Sequence, residues 1–66
     1  MALKAAREKS GKTQAQVAKE AGVTERVYQG YEYDKNEPRV RTAIRIADAL
    51  GTTVEALFRE DYTRSE

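Results

Sequence analysis

The chain has no cysteine, no histidine and no tryptophan, and only one proline, one methionine and one phenylalanine in 66 residues. Without cysteine there is neither a disulfide staple nor a thiolate metal ligand. Without histidine the commonest metal ligand and general base is missing, and a zinc site would have to be built from carboxylates alone. Ser10 and Ser65 are the only serines, with no imidazole to activate them and no glycine-rich phosphate loop nearby. An enzyme, a bound metal and a cofactor are therefore not expected. No apolar run approaches the ~20 residues needed to cross a bilayer, and the opening MALKAAREKS lacks the apolar stretch of a secretory signal. Cytoplasm is the default location, with no membrane partner. A chain this short sits near the lower limit for one self-sufficient core, so folding must rest on helix packing, with or without a second subunit.

Charge of one sign is also scarce. Twelve basic residues face eleven acidic ones, for a net charge of +1 with 35% of residues charged. That balance by itself does not argue for a nucleic-acid partner. From Glu55 onward four acids outnumber two arginines, so this end carries −2 and the rest of the chain +3.

What the chain does contain is helix punctuation. Leu3 to Ser10 reads as a first helix, with Leu3 and Ala6 on one face and Gly11 as its stop. Thr13 with Gln16 makes a T-x-x-Q capping box for a second helix running to Ala21 and burying Val17 and Ala18. Gly22 fits the left-handed step after that helix, and Thr24 caps a third, which ends near Tyr33. Only Val23 separates the glycine from the next cap, so the two helices must cross steeply, as in a helix-turn-helix. Asp34 to Pro38 is a turn-rich loop. Val40, Ala43, Ile44, Ile46, Ala47 and Leu50 keep helical spacing and predict a fourth helix with Gly51 as its stop. Thr52 or Thr53 caps a last short helix with Val54, Leu57 and Phe58, and Thr52 with Glu55 offers a second capping box. Residues 59–66 lack an apolar period and read as a polar tail.

These pieces, LKAAR, TQAQVAKEAGV, TERVYQGYE, a loop with Pro38, AIRIADALG and VEALF, together resemble the Cro/repressor-type (XRE-like) helix-turn-helix family of phage repressors and bacterial regulators. The likeness spans Leu3 to Phe58 and rests on the spacing of all the pieces, not on any one. It implies an all-α, five-helix lambda-repressor-like domain over residues 1–58. It also implies a transcriptional regulator, a repressor being the more usual kind. Such a protein binds double-stranded DNA at an inverted repeat as a homodimer, with the helix over 24–33 in the major groove.

On that helix the resemblance turns Tyr28 and Tyr31 inward, leaving Glu25, Arg26, Val27, Gln29 and Gly30 as candidate base contacts; Tyr33 stays unassigned. Arg26 matches guanine O6 and N7, Gln29 matches adenine, Glu25 matches the cytosine amino group, and Val27 matches a thymine methyl. Glu25 has a second reading, as a carboxylate favouring the helix N-terminus and holding Arg26. Gly30 implies close packing or close approach of DNA, or else a position that tolerates any residue. Lys12, Thr13, Gln14, Lys35, Asn36, Arg39 and Arg41 are candidates for the DNA backbone or a groove, Thr13 mainly as a cap and Arg39 over a narrowed minor groove. Arg7 and Glu32 correspond to an arginine and glutamate that pair beneath the reading helix in relatives. Val54, Leu57, Phe58 and Tyr62 fall where the family's dimer surface usually lies. No small-molecule site is evident and no sensing segment follows the helices, so control is expected through concentration, a partner or proteolysis. The competing reading is a protein-interaction or antitoxin-like module on the same scaffold.

Overall fold

The computed structural model describes residues 2–63, and the side chains of residues 2–59 among them. Five helices follow in order: α1 Leu3–Ser10, α2 Gln14–Ala21, α3 Glu25–Glu32, α4 Val40–Leu50 and α5 Val54–Thr63. No strand occurs among the described residues.

Local chemistry sets each boundary. Thr13 Oγ1 accepts from the Gln16 amide at 3.1 Å while the Gln16 side chain accepts from the Thr13 amide at 2.8 Å, so two otherwise orphaned donors at the start of α2 are satisfied. Thr24 Oγ1 does half of this for α3, accepting from Val27 N at 3.1 Å. At α5 the cap is Thr53, whose hydroxyl accepts from Ala56 N at 3.1 Å; the Thr52–Glu55 box does not form.

The α2–α3 corner depends on Gly22, which sits at φ 78°. Its amide bonds Lys19 O at 3.2 Å and Val23 N bonds Ala18 O at 3.0 Å, a six-residue closure that turns the chain sharply out of α2. A Cβ at Gly22 would also press on the Arg45 guanidinium, 3.1 Å away. The end of α3 repeats the closure without glycine. Asp34 takes the left-handed conformation at φ 61°, with Asp34 N bonded to Tyr31 O at 3.3 Å and Lys35 N to Gly30 O at 2.8 Å.

The core is one cluster in which Leu3, Val17, Ala18, Ala21, Tyr28, Tyr31, Ile46, Ala47, Leu50 and Leu57 meet. α2 is the central element, packed most extensively on α4 and then on α3. Each fully buried aliphatic side chain contributes about 1.5–3 kcal/mol over its exposed state. Tyr28 and Tyr31 meet edge-to-face with ring centroids 6.3 Å apart, the favoured arrangement for aromatic quadrupoles.

Helical spacing did not show one feature of α4, and α5 departs from the sequence expectation. On α4 only Ala43, Ile46, Ala47 and Leu50 are covered; Val40 is 74% and Ile44 46% exposed, an apolar i, i+4 pair left in solvent. α5 continues to Thr63, five residues beyond Phe58, where the apolar spacing stops.

Candidate nucleic-acid interface

Burial of one face of α3 dictates what the opposite face presents. With Tyr28 and Tyr31 in the core, Glu25, Arg26 and Val27 are exposed and Gln29 is half-exposed. Glu25 stands in the first turn, where its charge favours the helix dipole. It makes no ion pair with Arg26 among the described contacts, so that part of its second reading falls away.

Gln29 is held from behind by a continuous line of hydrogen bonds. Arg7 Nε donates to Glu32 Oε2 at 2.6 Å, and a second guanidinium nitrogen donates to Oε1 at 3.4 Å. Gln14 Nε2 donates to the same Oε1 at 2.9 Å, and Gln29 Nε2 donates to Gln14 Oε1 at 3.2 Å. Arg7 also bonds the Lys12 carbonyl at 3.1 Å, which ties α1 to the start of α2. The line thus links α1, α2 and α3, and it fixes the amide orientations of Gln14 and Gln29 before any ligand arrives. Preorganisation of this kind reduces the entropy lost on binding.

The Glu32 side chain is fully enclosed, at 0% exposure. Burial alone would raise its pKa; the hydrogen bonds from Arg7 and Gln14 outweigh that, and the carboxyl is held below its usual range. Hydrogen bonding to Glu32 raises Arg7 in turn. The buried Tyr28 hydroxyl has no hydrogen-bond partner of ordinary geometry among the described residues, and burial first, then its closeness to the Glu32 carboxylate, push its pKa well up.

In front of this line lies a groove of about 390 Å³, walled by Arg26, Gln29 and Tyr33 on one side and Lys35 and Asn36 on the other. Tyr33 is the residue the sequence left unassigned. It falls seven positions after Arg26, two turns along the same face, and that spacing was the available signal. Arg45 was not among the sequence candidates. It lies against Gly22 and lines a second hollow with Arg39, Val40 and Arg41. Nothing in the spacing of α4 singles it out.

Several candidate residues take other places. Lys12 is committed elsewhere: its ammonium bonds Glu20 and the Ala49 carbonyl, each at 2.8 Å, because the C-terminal carbonyls of α4 and an acid on α2 are the nearest acceptors. Gly30 is buried on the floor of the groove, covered by the Asn36 side chain, and offers little surface to a base. Arg39 and Arg41 are exposed at the start of α4 and are not brought into the α3 groove. Leu57 is buried in its own chain's core, which removes it from a dimer surface, while Val54 and Phe58 pack half-buried on that core. The Tyr62 side chain lies outside the described residues.

A family model for the helix-turn-helix matches residues 3–57. The chain belongs to the helix-turn-helix family. It is therefore a DNA-binding helix-turn-helix regulator by family, of a kind typically without enzymatic activity. No curated protein and no solved structure gives a significant match. No described helix of this helix-turn-helix chain is long and apolar enough to cross a membrane.

Proposed function

We propose that the protein is a sequence-specific transcriptional regulator, acting as a repressor, that binds an inverted-repeat operator as a homodimer with α3 in the major groove. The observation that carries this reading is the exposed face of α3, where Arg26 is exposed and Gln29 is held in a fixed orientation from beneath. A guanidinium offers two parallel donors to guanine, and a carboxamide offers a donor and an acceptor to adenine. The loop after α3 and the exposed start of α4, with Lys35, Arg39 and Arg41, provide positive charge for phosphates beside the reading helix. Apolar surface for a second copy is present at Val40 and Ile44 on α4 and at Val54 and Phe58 on α5.

Selection from pooled random duplexes tests the reading. The expected result is one motif with two-fold symmetry and half-site centres about 10–10.5 base pairs apart. Its affinity should fall with salt along a log–log slope of about 6–10. A second reading, a protein-interaction module, is favoured by the Val40–Ile44 pair; it gains if selection enriches no motif while the protein still pairs through that surface.

A further inference from the structure

α3 carries a glycine in its middle, where glycine costs about 1 kcal/mol relative to alanine. The reason is on the other side of the groove. A Cβ built on Gly30 would overlap the Asn36 amide nitrogen, with Asn36 Cγ only 3.2 Å away. The loop is locked in that position. Lys35 N and Asn36 N both bond Gly30 O, at 2.8 and 3.3 Å, through the left-handed turn at Asp34.

The direction in which Gly30 faces gives this contact its meaning. Arg26, Gly30 and Tyr33 follow at i, i+4 and i+7, so they share one line along the helix. That line is opposite Tyr28 and Tyr31, which are buried, and it borders the groove. A side chain at position 30 would project into the groove between Arg26 and Tyr33. Its place is filled by the carboxamide of Asn36, which comes from the loop.

We infer that Asn36 serves as the base-reading side chain for position 30, with Gly30 as the vacancy that admits it, and that it reads adenine. This rests on the DNA-reading function proposed above. The carboxamide has two donors and one acceptor, a set that matches adenine N7 and N6 in the major groove. Guanidinium and ammonium groups flank it at Arg26 and Lys35. Lys35 is the better phosphate ligand and Arg26 is assigned to guanine, which leaves the neutral amide for an adenine edge. Gly30 acts as a positioning residue, since it touches Asn36 and not DNA.

The test compares selected DNA motifs for wild type, Asn36→Ala and Gly30→Ala, with thermal unfolding of each protein. Asn36→Ala should lose preference for adenine at one base pair per half-site by about 5- to 150-fold, the factor equivalent to one bidentate base contact. The rest of the motif and the salt slope should stay as in wild type. Gly30→Ala must push the amide aside and should weaken preference at that same base pair; adding Asn36→Ala to it should change that position little further. If Gly30→Ala fails to fold, Asn36→Ala alone decides. Three results would overturn the inference. A motif unchanged in Asn36→Ala, whatever its stability, makes the contact purely structural. A uniform loss across all sequences with a slope lower by about one makes Asn36 a phosphate ligand. A wild type that enriches no motif removes the DNA-reading function, and this inference with it.

Discussion

Arg7 and Glu32 sit 25 residues apart in the chain, yet they decide how the reading face is held. Neither residue's role follows from composition; only the family's spacing pointed to the pair, because the partners meet through a fold and not through a local pattern. Gln14 was legible as a residue at the start of α2 but not as the link between Glu32 and Gln29, a contact that needs three helices in place. Arg7→Ala would leave the enclosed carboxylate without its cation. Such a loss costs about 3–5 kcal/mol when both partners are buried; Arg7 keeps 14% of its side chain in solvent, so the lower end, about 3 kcal/mol, is expected in urea unfolding. The pair also sets a pH dependence. Because the folded Glu32 pKa is depressed, its contribution is complete above the unfolded value near 4.3. It is lost as pH falls through the lower folded value. Unfolding free energies for wild type and Glu32→Gln should therefore converge as pH falls below the unfolded value of about 4.3.

Among the elements, α2 and the start of α3 were legible almost to the residue, since threonine caps and the Gly22 stop each act within four residues of chain. The exit from α3 was harder to read, because Asp34 takes a left-handed turn that glycine takes after α1, α2 and α4. The bounds of α4 were legible, but the exposure of Val40 and Ile44 was not, for a different reason. Helical spacing shows which residues share a face but not how wide a neighbour covers it, and the small surface of α2, built from Val17, Ala18 and Ala21, reaches only part of the stripe. Val40 and Ile44 remain outside it. Replacing both with serine should change monomer stability by less than about 1 kcal/mol, as for exposed positions away from caps and core. If these residues join two copies, sedimentation should show a shift from dimer to monomer for the double variant. An unchanged association state would move the interface to Val54 and Phe58.

For the whole molecule, a near-neutral charge means that affinity cannot come from bulk attraction. It must come from where the charges stand, with Arg26 and Lys35 around one groove and Arg39, Arg41 and Arg45 around another. That arrangement was not visible in the net charge of +1, which averages over faces. The central claim is that the outward side of α3 reads base edges. It is tested most directly by equilibrium binding of wild type and Arg26→Ala to a selected operator and to random duplex at one salt concentration. The expected result is that Arg26→Ala narrows the gap between the two DNAs by about 1–3 kcal/mol, while binding to random duplex changes far less. An Arg26→Ala protein that separates operator from random DNA as well as wild type would contradict it.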